Sequence, residues 1–274
     1  MSNRIETIFR EAREQRRRLL MPFLCAGSPT LDALPRLLPG LEQAGASIVE
    51  IGFPFSDPIA DGPVIAAAMH RALGRGVTPE VIFEQVRSVR DRTGLGLVAM
   101  VSVSLVHRAG PDRFIQRAGA AGFDGFIFPD APLEESERLA TLAKDAGLTA
   151  TLLVSPSTSE ERAKSIAALC SGFVYLLARA GITGEQDRAP DVAGRVAMLR
   201  KATDLPIACG FGISTQDHVS AVIRHADAAI VGSALVRRLE EAERAGRPLE
   251  TEAEEFVSDL ATGLINMEDL PGVG

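Results

Sequence analysis

Residues 49–63 read VEIGFPFSDPIADGP, a short apolar strand pattern that leads into a proline-rich loop, and an alanine-rich helix pattern follows. Glu50 lies inside the strand pattern, where a carboxylate loses hydration unless it faces a cavity. Lost hydration raises the pKa of a carboxyl group towards the range in which proton transfer near pH 7 is efficient. Glu50 is therefore a candidate catalytic residue, and an ion pair with a nearby arginine is the alternative. The loop adds two further candidates, Asp57 and Asp61.

Strand, loop and helix patterns of this kind alternate along the whole chain, which is typical of βα units around a parallel sheet. Eight strands are predicted, at residues 20–25, 47–52, 96–102, 124–128, 149–154, 172–177, 205–209 and 227–231. Eight repeats favour a closed α/β fold, the (β/α)8 TIM barrel, over an open doubly wound sheet. The expected organisation is one barrel domain spanning residues 1–274.

An additional N-terminal helix is predicted before the first strand. Its apolar positions share one helix face and should close the bottom of the barrel; they are Ile5, Ile8, Phe9 and Ala12. Residues 16–18 are three consecutive arginines, which we interpret as the solvated last turn of this helix, where cations oppose the helix dipole.

Composition argues against several classes of partner and site. The formal net charge of −7 gives no global attraction to nucleic acid. No apolar run reaches the roughly 18 to 20 residues that a membrane span needs, so a soluble, cytoplasmic protein is expected. The three cysteines lack CxxC spacing and fit a reducing compartment, and the four histidines lack metal-ligand spacing, so no metal site is expected.

The carboxyl ends of the barrel strands are where an active site is expected, because the loops at that face carry the chemistry of (β/α)8 enzymes. Glu50 lies near the end of strand 2. Tyr175, the only tyrosine, lies on strand 6, whose exit loop at 179–184 could act as a lid.

Two glycine-bearing turns follow strands 7 and 8, at residues 209–214 and 231–234. Each runs into a helix pattern and offers bare backbone N–H groups to an anion. The pair predicts a site for a phosphorylated small molecule, with the phosphate near Gly212, Gly232 and Ser233.

The remaining chemistry follows from the side chains available. A Schiff-base aldolase needs a lysine that projects into the barrel, but the only three lysines fall on predicted outer helices. They are Lys144, Lys164 and Lys201. A metal-dependent aldolase needs histidine and carboxylate ligands that converge on one site, and no such cluster is visible. The mechanism that remains is general acid–base catalysis by carboxylates.

Several motifs together resemble one known family. They are PF at 22–23, Glu50, PFSDPIADGP at 54–63, YLLARAGITG at 175–184, GFGIS at 210–214 and GS at 232–233. Across nearly the whole chain, this set is similar to the alpha subunit of tryptophan synthase, and the PFSDPxADGP motif is highly specific.

The resemblance implies a lyase of L-tryptophan biosynthesis that cleaves indole-3-glycerol phosphate to indole and glyceraldehyde 3-phosphate. It implies that Glu50 transfers protons and that Asp61 accepts a hydrogen bond from the indole N–H. The substrate-binding residues that it implies are Phe23, Tyr175, Thr183, Gly184, Phe211, Gly212, Gly232 and Ser233.

The resemblance also implies a protein partner, a beta subunit that uses pyridoxal phosphate, in an alpha2-beta2 heterotetramer. This chain would bind no pyridoxal phosphate itself. Asp57 and the segment around Thr183 would communicate with the partner.

One segment departs from the family pattern. Residues 100–104 read MVSVS, where the family usually reads close to Met-x-Tyr-x-Asn. Ser102 and Ser104 make the indole-side wall smaller and change its hydrogen bonds, which affects the expected substrate fit and the coupling to the partner. The serines suggest one alternative, a non-catalytic paralogue. A second alternative is a phosphate-binding barrel isomerase, which would share the turns after strands 7 and 8 but place its acid and base on other strands.

Overall fold

The computed structural model describes residues 3–58, 61–178 and 190–264. The strands are β1 (Leu19–Cys25), β2 (Ile48–Gly52), β3 (Gly96–Met100), β4 (Gly125–Ile127), β5 (Thr149–Thr151), β6 (Leu153–Val154), β7 (Val174–Leu177), β8 (Ile207–Gly210) and β9 (Ala228–Val231). The helices are α1 (Arg4–Glu14), α2 (Ala33–Gln43), α3 (Pro63–Gly74), α4 (Pro79–Val89), α5 (Val103–Ala109), α6 (Pro111–Ala121), α7 (Leu133–Asp145), α8 (Glu160–Leu169), α9 (Ala193–Arg200), α10 (Gln216–Ile223), α11 (Ser233–Arg244) and α12 (Leu249–Ala261).

All strands pair in parallel and form a barrel. The order in the sheet is β5-β4-β3-β2-β1-β9-β8-β7-β6, so β1 pairs with the last strand as well as with β2. β5 and β6 are two halves of the predicted strand 149–154, separated by Leu152; β5 pairs with β4 and β6 with β7. Eight strand positions therefore surround the axis, and the predicted (β/α)8 fold is confirmed. Each of the other seven predicted strands overlaps an observed strand.

The bottom of the barrel is closed by α1, as the apolar helix face predicted. Asn3 caps this helix by accepting a hydrogen bond from the Ile5 amide at 2.9 Å, and its own side-chain amide donates to the Asp124 carbonyl at 2.8 Å. Ile5, Phe9 and Ala12 are buried, whereas Ile8 is half-buried. Phe9 packs against Phe173 with ring centroids 5.6 Å apart. The helix thus covers the apolar side chains that fill the lower barrel.

Successive side chains of a strand point to opposite faces of the sheet, which separates an apolar core inside the barrel from one between the sheet and the helices. In β2, Ile48 belongs to the cluster inside the barrel, and Val49 and Ile51 belong to the cluster between sheet and helices. The outer cluster contains edge-to-face and tilted phenylalanine contacts with centroids 5.3–6.2 Å apart. Within the described residues, no helix is both long and apolar enough to cross a membrane.

Candidate active site

A cavity of about 530 Å3 opens at the carboxyl ends of the strands, as the fold predicts for an active site. Its volume falls in the range of about 300–1,000 Å3 that is usual for small-molecule sites. Eight of the predicted site residues line it: Phe23, Glu50, Asp61, Tyr175, Phe211, Gly212, Gly232 and Ser233. The other two, Thr183 and Gly184, lie outside the described residues.

Glu50 lies at the centre of β2, where strand alternation turns its side chain to the inside of the barrel. It is paired in register with Phe23 on β1 and Val98 on β3. Only 1% of the residue is exposed, and its Oε1 atom is buried without a hydrogen-bond partner. Burial raises the pKa of Glu50 well above its usual value. None of the ion pairs among the described residues includes Glu50, so the structure places a carboxyl group that is readily protonated in the cavity wall.

Asp61 reaches the same cavity from the loop between β2 and α3. Its amide donates to the Pro58 carbonyl at 3.0 Å, and α3 begins two residues later with Pro63 in its first turn. Asp61 is half-buried, and burial raises its pKa to about 6. A carboxylate with that pKa is ionised at neutral pH while still being poorly hydrated. Asp57, from the same loop, is exposed at the rim of the cavity.

The aromatic wall depends on two glycines whose role the sequence analysis did not identify. Tyr175 is 3% exposed and meets Phe211 edge to face, with ring centroids 6.4 Å apart. A Cβ atom at Gly210 would lie 2.2 Å from the Tyr175 hydroxyl, and a Cβ atom at Gly52 would lie 2.4 Å from the Phe23 ring. Both rings therefore occupy space that only glycine leaves open on the neighbouring strand. Burial, together with the Glu50 and Asp61 carboxylates, raises the pKa of Tyr175.

The turns after β8 and β9 form the end of the cavity that suits an anion. Phe211 and Gly212 both have positive φ, 81° and 76°, which turns the backbone sharply after β8. Gly232 caps α11, and no side chain accepts a hydrogen bond from the first turn of that helix. The backbone amide of Ser233 is therefore not capped by a side chain. Because Gly232 and Ser233 line the cavity, the positive end of the helix dipole lies at its wall. α10 differs, since the Thr215 hydroxyl caps it.

The opposite wall comes from the ends of β3 and β4. There the Ser102 hydroxyl donates to Asp130 Oδ2 at 2.6 Å, and the Val103 amide donates to Asp130 Oδ1 at 2.9 Å. Asp130 thus caps α5 and lines the cavity together with Ser102 and Ser104. Asp130 was not among the site residues predicted from the sequence, although its place three residues after the end of β4 was a signal.

Metal ligation has no evident place in this arrangement. Among the described residues, no group of three or more histidine, cysteine, aspartate or glutamate side chains could hold a metal ion. What the cavity offers is two carboxyl groups with raised pKa values, an aromatic wall, and an end lined with backbone amides.

Comparisons with known proteins agree with this geometry. A family model described as tryptophan synthase alpha chain matches residues 9–264. The tryptophan synthase alpha chain of Synechococcus sp. (strain CC9902) is 43% identical over 240 residues, which cover 87% of this chain and 89% of that protein. The alpha chain of Solibacter usitatus is 40% identical over 262 residues, which cover 95% and 97%.

Solved structures show the same likeness. The tryptophan synthase alpha chain of Legionella pneumophila has a TM-score of 0.88 and 29% identity, covering 98% of this chain and 100% of its own. A chain of the tryptophan synthase of M. tuberculosis, in an aminoacrylate-bound form, has a TM-score of 0.85 and 29% identity, covering 96% and 100%. Because the family model spans most of the sequence and relatives exceed 40% identity over most of both chains, the protein belongs to the tryptophan synthase alpha chain family.

Proposed function

We propose that the cavity at the carboxyl face cleaves indole-3-glycerol phosphate to indole and glyceraldehyde 3-phosphate, with Glu50 and Asp61 as the catalytic residues. As a member of its family, the chain is the alpha subunit of an enzyme of tryptophan biosynthesis. The observation that carries the proposal is the position of Glu50, a buried carboxyl group without a hydrogen bond to Oε1, in a cavity whose other end offers backbone amides.

Glu50 would supply both proton transfers. In its protonated form it gives a proton to C3 of the indole ring, which makes the ring a positively charged indolenine. It then accepts the proton of the glycerol hydroxyl next to the ring while the carbon–carbon bond breaks. The hydroxyl carbon becomes the aldehyde of glyceraldehyde 3-phosphate, and the bonding electrons return to the ring. Glu50 ends protonated, as it began, and its raised pKa suits a group that must start with a proton.

Asp61 would stabilise the charge that develops at nitrogen. Its ionised carboxylate accepts a hydrogen bond from the indole N–H, and this bond strengthens as the ring becomes cationic. An interaction that is stronger in the transition state than in the ground state accelerates the reaction. Partial burial of Asp61 increases the effect, because a poorly hydrated carboxylate interacts more strongly with a nearby cation.

The phosphate would bind at the turns after β8 and β9. In the ring of strands, these turns lie across the barrel from the ends of β3 and β4, so a bound phosphate directs the indole ring towards Met100, Ser102 and Asp130. Glu50 on β2 then lies between the two ends, beside the bond to be broken.

The test of this function is direct. Purified chain is incubated with indole-3-glycerol phosphate, with and without a tryptophan synthase beta subunit, and indole and glyceraldehyde 3-phosphate are both quantified. The proposal expects equal amounts of the two products. Isomerised phosphate product without indole would instead support a barrel isomerase, and tight binding without turnover in either condition would support a non-catalytic paralogue.

The pH dependence of kcat/KM should report the two carboxyl groups of the free enzyme. Because burial raises the pKa of Asp61 to about 6, activity should fall as the pH drops through that value and Asp61 becomes protonated. Activity should also fall at higher pH as Glu50 loses its proton, so the profile should be bell-shaped. A rate that keeps rising as the pH falls well below the pKa of Asp61 would contradict the role of an ionised Asp61.

Ser233→Ala should raise the KM for indole-3-glycerol phosphate by about tenfold and change kcat little, since a hydrogen bond to a charged group contributes about 1.5 kcal/mol or more. The inhibition constant of glycerol 3-phosphate should rise by the same factor. Ser220→Ala is the matched control, because that hydroxyl, on α10, donates to the Gly263 carbonyl just after α12 at 2.9 Å. An unchanged KM in Ser233→Ala would remove this hydroxyl from the phosphate site.

Family membership implies a partnership with a tryptophan synthase beta subunit. We propose in addition that the assembly is alpha2-beta2, and sedimentation of the mixed subunits would measure its stoichiometry. A cytoplasmic location also belongs to the proposal, supported by three cysteines that are all free thiols, as expected in a reducing compartment.

A further inference from the structure

A second charged cavity lies at the opposite face of the barrel, near the amino-terminal ends of β1, β8 and β9. Its volume is about 270 Å3. Five arginines line it: Arg13, Arg16, Arg17, Arg18 and Arg200. The acidic residues in its wall are Asp204 and Asp227. The cavity therefore carries an excess of positive charge on a chain whose formal net charge is −7.

The inner part of this cavity is rigidly organised around Asp227. Arg18 Nη1 donates to Asp227 Oδ1 at 2.7 Å, and Arg200 Nη2 donates to Oδ2 of the same carboxylate. The Ile207 amide donates to Oδ2 at 2.8 Å. Helix α1 ends at Glu14, so the interpretation of residues 16–18 as its last turn is wrong. The Arg18 side chain is only 18% exposed, so the expected solvation is also wrong for Arg18. Two guanidinium groups thus share the Asp227 carboxylate.

The outer part of the cavity carries the other guanidinium groups. Arg13 donates to the backbone carbonyl of Asp204 at 3.1 Å. Because this acceptor is neutral, it does not offset the charge of the Arg13 guanidinium. Arg16 and Arg17 are exposed, and neither takes part in an ion pair among the described residues. Arg17 is oriented by a hydrogen bond from Nε to Gln15 Oε1 at 2.7 Å. Three cationic groups at the mouth are thus not matched by carboxylates.

We propose that this basic cavity binds a compact polyphosphate group, either inorganic or part of a nucleotide. Guanidinium groups present paired N–H donors that match phosphate oxygens, and several of them favour a multivalent anion over a monovalent one. The volume lies just below the range of about 300–1,000 Å3 for usual small-molecule sites, which restricts the ligand to a small group. The net charge of −7 disfavours a long polyanion such as nucleic acid, because the rest of the surface repels it.

Isothermal titration of the full chain with pyrophosphate tests the proposal. The titration is performed in excess glycerol 3-phosphate, so that phosphate binding at the catalytic face does not contribute. We expect one saturable site per chain, whose affinity falls as the ionic strength rises. Parallel titrations with ATP and ADP without divalent cations distinguish the two sources: a nucleotide site binds them more tightly than pyrophosphate, and an inorganic site does not.

Two double variants distinguish pyrophosphate binding in this cavity from an effect of the overall charge of the chain. The double substitution R16Q/R17Q should weaken pyrophosphate binding by about tenfold or more, because it removes two guanidinium groups from the mouth. R87Q/R108Q removes the same charge from exposed arginines elsewhere and should leave the affinity within about twofold. Cleavage of indole-3-glycerol phosphate should be unchanged in R16Q/R17Q, since the cavity lies at the other face. Absence of saturable binding, or equal weakening in the two double variants, would overturn the proposal.

Discussion

Glu50→Gln will lower the kcat for cleavage of indole-3-glycerol phosphate by about 10³–10⁴-fold, as expected for the loss of a group that serves as both general acid and general base. The amide fills nearly the same volume in β2 but neither gives nor accepts the proton. KM should change little, because the phosphate and the aromatic walls are untouched. Steady-state kinetics of indole release measure both constants.

The melting temperature of Glu50→Gln shows whether the variant is folded, independently of its activity. Burial raises the pKa of Glu50 above its unfolded value, so stability is fully present below the unfolded pKa and is lost as the pH rises through the folded pKa. The neutral amide avoids that loss, and Glu50→Gln should melt at or above the wild-type temperature at neutral to alkaline pH. Glu84→Gln, at an exposed position of α4, should match wild type in both measurements. Full cleavage activity in Glu50→Gln would exclude Glu50 as the proton-transfer group.

Asp61→Asn will reduce kcat by about 10²–10³-fold, in line with the loss of one electrostatic group that stabilises transition-state charge. The asparagine oxygen can still accept a hydrogen bond from the indole N–H, but it carries no charge to offset the cationic ring. The acid limb of the pH profile, which starts near the Asp61 pKa of about 6, should disappear in the same variant.

The matched control for this change is Asp145→Asn, at an exposed position near the end of α7. It should retain wild-type kinetics and the acid limb. If Asp61→Asn lowered kcat but kept the acid limb, the group that titrates on that limb would be another carboxylate and not Asp61.

The sequence predicted the barrel well, because the spacing of apolar residues that marks a strand or a helix involves only residues close together in the chain. The position of Glu50 shows this: Val49 and Ile51 face the outer helices in β2, and the residue between them must face the interior. The break at Leu152 was not predictable, since it depends on which neighbours the two halves of the strand pair with.

Site features that depend on contacts between distant segments escaped the sequence analysis. Asp130 acquires its role because β3 and β4 are neighbours, which lets it accept hydrogen bonds from Ser102 and Val103. Gly210 matters because its neighbour in the sheet is the strand of Tyr175. The ion pair of Arg18 with Asp227 joins residues from opposite ends of the chain. No local pattern marks the role of Gly210 or the ion pair of Arg18, whereas the place of Asp130 after a barrel strand was a signal.

The prediction made for Ser102 is only partly tested by the structure. The sequence predicted a smaller wall at this position with different hydrogen bonds, and the structure shows a buried hydroxyl that donates to Asp130. How far this wall changes the fit of the substrate or the coupling to a beta subunit stays a prediction.

The most direct test of the account is the structure of the chain bound to indole-3-propanol phosphate, an analogue that lacks the hydroxyl needed for cleavage. We predict the phosphate within hydrogen-bond distance, about 3 Å, of the amides at Gly212, Gly232 and Ser233, and the indole N–H on the Asp61 carboxylate. The Glu50 carboxyl group should lie against C3 of the ring. An analogue whose phosphate sits at the ends of β3 and β4, or whose ring makes no contact with Glu50, would contradict the account.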